Sequence, residues 1–270
     1  SFGANAADVG NNFTITTTAA GGVTAPSTTL KVGGNFVHTA GIFTHNSGTV
    51  ELNGTGAQAI PTTATTFNVL TLNNTGGTVS LNAATTLLGD LTIPVGNTLN
   101  CGSTTLNLGG NYTNNGTFTA GTSSTIFNGT GALALSGDMT GTNKFNNLTF
   151  NNATGTWSFG ANSADVGSAF TITTGTVNAP STTLKVGGNF VHTAGTFNDN
   201  GGTVELNGTV AQAIPTTATT FNNLNISNGS ATVTANAALT VNGTLTTAAA
   251  ANLNMVTFQL LGTVTPSHSG

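Results

Sequence analysis

The stretch TLKVGGNF decides the fold, and it occurs twice, at Thr29–Phe36 and at Thr183–Phe190. Between the two copies lies TLNLGGNY at Thr105–Tyr112, so related segments recur 76 to 78 residues apart. Each copy contains an apolar–polar–apolar core, which places alternate side chains on opposite faces of a strand, followed by glycines that favour a turn. Because recurrence at a fixed period is typical of stacked architectures, the sequence predicts a repeat protein.

Around this stretch the chain divides into three and a half long repeats, at about 1–78, 79–156, 157–232 and, in part, 233–270. The first and third are most alike, since SFGANAADVG at 1–10 returns as SFGANSADVG at 158–167. We therefore expect residues 1–270 to form a single β-solenoid. Both ends fall inside a long repeat, so we also expect the chain to continue into a longer array or to stack end to end with other copies.

A finer period of about 19 or 20 residues runs within each long repeat. The strand cores Leu30–Val32, Val50–Leu52 and Leu70–Leu72 follow one another at 20 residues. That length fits one coil of a solenoid with two or three short strands, stacked about 4.8 Å from the next coil. Continued along the chain, the series places the middle residues of later cores, Thr92 and Asn107, in the same outward column.

The predicted fold class is therefore all-β, as an elongated right-handed parallel β-helix with coils of about 19–20 residues. The alternative is a row of Ig-like β-sandwich domains, one in each long repeat, because seven strands fit in that length. Independent sandwiches would not need the 20-residue period, which favours the solenoid.

The residue after each strand core is usually Gly or Asn, the two residues that accept a positive φ most readily. We interpret this position as a corner that requires a left-handed residue. The predicted corner residues are Gly33, Asn53, Asn73, Gly109, Asn128, Asn151, Gly187 and Asn207.

Charged residues make up only 4% of the chain, against about 25% in an ordinary soluble domain. Lys31 and Lys185 stand in the middle of strand cores, and Glu51 and Glu205 take the same position one coil later. We predict outward-pointing ion pairs, Lys31 with Glu51 and Lys185 with Glu205, each contributing about 0.2–1 kcal/mol.

Groups that carry chemistry are sparse and scattered. Asp8 and Asp165 are equivalent, and each lies next to a Val-Gly pair, so we interpret them as turn residues. His38 and His192 are also equivalent, but zinc needs three or four converging ligands and Cys101 is the only cysteine. We expect no catalytic residue, no cofactor and no metal, and therefore no enzyme.

Two classes of partner are not expected from the composition. Nucleic acid is bound through clustered cations, and this chain has three Lys and Arg residues in total. No apolar run approaches the ~18 residues of a membrane span.

The segments LKVGGNF at 184–190, TVELNGT at 203–209 and TTFNNL at 219–224 resemble β-strand-repeat segments of large bacterial surface proteins. These are related in style to filamentous-haemagglutinin-like adhesins, and the resemblance covers nearly all 270 residues. It implies an extracellular or cell-surface fibre or adhesin segment, whose partners are further copies of itself and surface glycans. The alternative function is ice or carbohydrate binding through a wall rich in Thr and Asn.

Overall fold

The computed structural model describes residues 1–16, 22–215, 217–229, 231–263 and 265–269. In these residues the regular structure is parallel β-strand, with one 3₁₀ turn at Gly141–Asn143 and no α-helix. The strands form a β-solenoid of about 12 turns, which confirms the predicted fold class. Ig-like sandwiches are excluded because their sheets are antiparallel. The chain divides into two compact units, Ser1–Gly129 and Thr130–Gly270.

Short strands make up the first unit, and each coil contributes three of them. In chain order they are β1 (Ala7–Val9), β2 (Phe13–Ile15), β3 (Val23–Thr24), β4 (Thr29–Val32), β5 (Phe36–His38), β6 (Phe43–Thr44), β7 (Thr49–Leu52), β8 (Gln58–Ile60), β9 (Thr65–Phe67), β10 (Val69–Leu72), β11 (Thr78–Leu81), β12 (Thr85–Leu87), β13 (Leu91–Ile93), β14 (Thr98–Asn100), β15 (Thr105–Leu108), β16 (Tyr112–Asn114), β17 (Thr117–Thr119) and β18 (Ser124–Phe127).

These strands stack into three walls. Wall A contains β1, β4, β7, β10, β13 and β16. Wall B contains the pair β2 and β5 and the sheet β8, β11, β14 and β17. Wall C contains the pair β3 and β6 and the sheet β9, β12, β15 and β18. The predicted series of strand cores takes β15 as the core that follows β13. In the structure this step leads from wall A to wall C within one coil.

The second unit repeats the three walls. Its strands are β19 (Gly131–Gly137), β20 (Asn147–Ser158), β21 (Ala164–Val166), β22 (Phe170–Asn178), β23 (Thr183–Val186), β24 (Phe190–His192), β25 (Thr196–Asn198), β26 (Thr203–Leu206), β27 (Gln212–Ile214), β28 (Thr219–Phe221), β29 (Asn223–Ile226), β30 (Thr232–Ala235), β31 (Leu239–Val241), β32 (Thr244–Ala248), β33 (Asn252–Asn254), β34 (Leu260–Leu261) and β35 (Thr265–Ser269).

Wall A of this unit is the sheet β21, β23, β26, β29, β32 and β35. The long strands β20 and β22 pair along two walls, with register shifts on either side of Asn151. The coils from β23 to β32 are regular, since Leu184 pairs with Val204, Val204 with Leu224, and Leu224 with Leu245. The spacing of 20 or 21 residues agrees with the period in the sequence.

Each unit buries columns of large side chains from successive coils. In the first unit Phe36 lies between Phe13 and Phe67, with ring centroids 5.2 and 5.1 Å apart. In the second, Phe170 stacks on Phe190 at 5.0 Å. Since every coil covers the apolar face of the next, the core is continuous within each unit.

The corner prediction was wrong in its physical reason, because none of the eight corner residues has a positive φ. A Cβ on Gly33 would lie 2.6 Å from the carbonyl oxygen of Gly10 in the preceding coil. A Cβ on Gly187 would meet the oxygen of Gly167 at the same distance, and Gly109 has an equally close neighbour. These positions need glycine because two backbones approach closely there.

The asparagines at this position continue the hydrogen-bond ladder between coils. The backbone N–H groups of Asn53, Asn73, Asn128 and Asn207 each donate to the last residue of the strand one coil earlier, at 2.8 to 3.2 Å. Asn151 lies inside β20, at the register shifts where this long strand passes from one wall to the next. The non-glycine residues with a positive φ lie at other turns, among them Asn46, Ser47 and Asn200.

A glycine pair at one corner tests the role of backbone clearance. We expect Gly33→Ala to lower the free energy of unfolding by about 1–3 kcal/mol, because the new Cβ overpacks against the Gly10 carbonyl. The matched control is Gly10→Ala. Its Cβ would meet nothing within 4 Å, so the change should be neutral or stabilising by up to about 1 kcal/mol. Equal unfolding midpoints in urea for the two variants would contradict this explanation.

Candidate functional site

A column of charged side chains runs along the outside of wall A, and in the first unit it contains Asp8, Lys31 and Glu51. The strand register pairs Asp8 with Lys31 and Lys31 with Glu51. Lys31 Nζ lies 3.7 Å from Glu51 Oε2, and Asn73 Nδ2 donates to the other carboxylate oxygen at 2.8 Å. The structure thus brings together the predicted pair and adds an acid on the far side of the lysine.

The second unit repeats this arrangement. Asp165 pairs with Lys185 and Lys185 with Glu205, and Lys185 Nζ lies 3.9 Å from Glu205 Oε2. The hydroxyl of Ser227 donates to Glu205 Oε1 at 2.7 Å. The lysine side chain is 43% exposed, so water screens the pair and its contribution to stability is small.

Lys144 extends the charged column of the second unit by one coil. It precedes Phe145, which bridges Val166, so Lys144 lies one coil before Asp165. Lys144, Asp165 and Lys185 line a groove of about 240 Å³ whose floor includes glycines at 141, 167, 187 and 208. Asp165 Oδ2 accepts the backbone N–H of Gly141 at 2.9 Å.

Sequence reasoning missed part of this column. Asp8 and Asp165 lie in β1 and β21 and not in turns, so that interpretation was wrong. Their strands read Ala-Asp-Val, and the small inward Ala hid the apolar–polar–apolar signal. Asn107 does not belong to the column, because it pairs with Thr86 on wall C.

Buried amide side chains link successive coils at the corner between walls A and B. Gln58 is 3% exposed, and its Nε2 donates to the carbonyl oxygens of Val32, at 2.9 Å, and Gly34. Its Oε1 accepts from the backbone N–H of Gly54 at 3.0 Å and from Asn74 Nδ2 at 2.6 Å. Such buried polar groups are tolerated because each atom has a partner.

Gln212 makes the equivalent contacts in the second unit. Its amide nitrogen donates to Val186 O at 2.9 Å and to Gly188 O at 2.5 Å, and its oxygen accepts from Gly208 N at 3.0 Å. Sequence reasoning did not identify either glutamine. The signal was the repeated segment AQAI, in which Gln and Ile alternate with alanine and so share the inward face.

The equivalent histidines are buried and also connect coils. His38 Nδ1 lies 2.8 Å from Thr65 Oγ1, and its Nε2 lies 3.1 Å from Gly41 O. Because a carbonyl oxygen only accepts, Nε2 donates to Gly41 O, and the hydroxyl of Thr65 donates to Thr63 O at 2.9 Å. His192 repeats this geometry with Thr219 at 2.9 Å and Gly195 O at 3.4 Å.

Burial lowers the pKa of His192 below its ordinary value of 6.5, and the contact with Gly195 opposes this shift in part.

Cys101 is buried too, and burial raises the pKa of its thiol to about 12. The thiol is therefore protonated at neutral pH and unreactive in the folded chain. Among the described residues there is no group of three or more His, Cys, Asp or Glu side chains that could hold a metal ion.

Replacing a buried glutamine tests the amide network. Gln58→Met keeps the size and shape of the side chain but removes its hydrogen bonds, leaving Gly54 N–H without its partner, whereas Val32 C=O keeps the bond from Asn53 N–H. We expect a loss of about 1–3 kcal/mol in the free energy of unfolding for the unsatisfied N–H group. The control Thr66→Val, on the exposed face of β9, should change stability by less than about 0.5 kcal/mol. If both variants unfold at the same urea concentration, the network is not stabilising.

The lowered pKa of His192 predicts how stability depends on pH. A folded-state pKa below 6.5 means that the unfolded chain binds a proton first, so this contribution is complete above pH 6.5 and is lost as pH falls through the folded-state pKa. Urea unfolding of the wild type between pH 8 and pH 5 should show that loss, and His192→Gln should reduce it. Thr66→Val should keep the wild-type dependence, and an unchanged slope in His192→Gln would refute the prediction.

Among the described residues no helix is long and apolar enough to cross a membrane. Comparisons of this chain with protein-family models, with curated proteins and with solved structures found no match.

Proposed function

We propose that this chain is a structural segment of an extracellular fibre or a cell-surface adhesin. The observation that carries the proposal is the use of its buried polar side chains. Gln58, His38 and their counterparts Gln212 and His192 all hydrogen-bond to groups outside their own strand, and most of these bonds join one coil to another. Glutamine and histidine side chains often bind substrates, but in this chain they hold a stack of coils together.

The surface composition supports the same function. The charged column apart, the outward positions of walls A and B are mostly Thr, Asn and Ser, which are hydrated but carry no charge. A rigid stack of coils is suited to act as a spacer or to bear load. Because the stack is nearly uncharged, association with other copies along its length meets little electrostatic repulsion. The resemblance to β-strand-repeat segments of bacterial surface proteins favours a location outside the cell.

Immunogold electron microscopy of cells that make this protein tests the proposal. With antibody raised against the purified chain, we expect gold particles on material that projects from the cell surface. Cells that do not express the chain are the control for antibody specificity. Gold confined to the cell interior would overturn the proposal.

A second candidate function is binding to ice or to a regular carbohydrate surface. Three successive coils on wall B of the first unit carry an outward row of threonines, in which Thr78 pairs with Thr98 and Thr98 with Thr117. A parallel row contains Ser80, Asn100 and Thr119. These evenly spaced polar side chains favour a periodic ligand, and thermal-hysteresis and glycan-array measurements separate this candidate from a purely structural role.

A further inference from the structure

The charges of this chain are concentrated in two columns, one on wall A of each unit. All three lysines and four of the seven acidic residues belong to these columns. The neighbouring outward column on the same wall contains Thr183, Thr203 and Asn223, which are uncharged. The column therefore crosses a face that is otherwise neutral.

In the second unit the order of charges along the column is positive, negative, positive, negative. The four residues are Lys144, Asp165, Lys185 and Glu205, each about one coil from the next. Read from the other end, the same column is negative, positive, negative, positive. Two copies that face each other in opposite directions thus place an opposite charge against every charge.

We propose that wall A of the second unit is a lateral interface for a second copy of this chain, in an antiparallel, twofold arrangement. The twofold axis passes between Asp165 and Lys185. Lys144 then faces Glu205 of the other copy, and Asp165 faces its Lys185, as an isologous contact requires. The inference is independent of the proposed function, because lateral pairing does not require a fibre.

The charges in this column are available for such contacts. Within the described residues of the second unit, only Lys185 and Glu205 form an ion pair within 4.0 Å. Lys144 is exposed, and Asp165 is partly exposed with one backbone donor at Gly141. Lys144 and Asp165 therefore have no ion-pair partner among the residues that the structure describes, and Lys185, 43% exposed, can face a second carboxylate.

The size of the face indicates a weak association. Four coils about 4.8 Å apart, with strands of four residues at about 3.3 Å each, give a contact area of about 250 Å² per copy. Stable interfaces bury about 800 Å² per partner, so pairing should need high protein concentration. It should also need low salt, since exposed charges are screened beyond ~3 Å at 1 M but only beyond ~30 Å at 0.01 M.

Sedimentation equilibrium of the whole chain tests this proposal. We expect reversible dimers at about 0.01 M salt, with an association constant that falls at least tenfold at about 1 M salt. A chain that stays monomeric at low salt and the highest soluble concentration, or dimers insensitive to salt, would overturn the proposal.

A charge swap distinguishes pairing between copies from the ion pair within one copy. The double variant Lys185→Glu with Glu205→Lys keeps the net charge and the pair inside the chain. The column then reads positive, negative, negative, positive, so the twofold contact opposes like charges at every position. We expect at least a tenfold loss of association at low salt, with an unchanged circular dichroism spectrum.

The first unit provides the matched control, Lys31→Glu with Glu51→Lys. Its column has three charges, Asp8 included, and is not self-complementary in register, so the swap should leave association unchanged. Reversing all four charges in the second unit, with Lys144→Asp and Asp165→Lys added to the first swap, restores an alternating column and should restore dimers. Wild-type association in the swapped variant, or equal losses from both swaps, would refute the twofold contact.

Discussion

The rest of the structure depends on the parallel hydrogen-bond ladder between coils, which fixes adjacent backbones about 4.8 Å apart. Every corner must pass the chain to the next wall without breaking that spacing. Where two backbones come closest, as at Gly33 above Gly10 and at Gly187 above Gly167, a Cβ does not fit, and glycine is required. Inside the walls the same spacing stacks side chains in columns, so that Phe13, the phenylalanines of later coils and their leucine neighbours cover one another.

The same ladder explains the polar residues. Where the chain turns between walls A and B, carbonyl and N–H groups of glycines lie outside the strand ladder, and Gln58 and Gln212 hydrogen-bond to them. His38 and His192 do so near the turn between walls B and C. On the outer face, residues that the ladder places one coil apart meet side by side, which turns an alternation of Lys and Glu along the sequence into a charged column.

The sequence was sufficient to predict the repeat, the parallel solenoid and the Lys–Glu pairs, because a 20-residue spacing of apolar strand cores translates directly into stacked coils. It was not sufficient to assign each strand to one of the three walls. A strand on wall C has the same apolar–polar–apolar pattern as one on wall A, so Asn107 was placed in a column to which it does not belong. Gly and Asn after a strand suggested a left-handed corner, whereas the close approach of two backbones selects the glycines. Asp8 was hidden by its small inward neighbour.

Disulfide trapping of outward residues tests the register most directly. In a Cys101→Ala background, Thr71→Cys with Thr92→Cys places two thiols on adjacent coils of wall A, where strand spacing suits the Cα separation of about 4.4–6.8 Å in a disulfide. The account predicts rapid, quantitative cross-linking of this pair under mild oxidation. It predicts no cross-link for Thr92→Cys with Asn107→Cys, which lie on different walls. Cross-linking of the second pair, or none in the first, would contradict the three-walled solenoid.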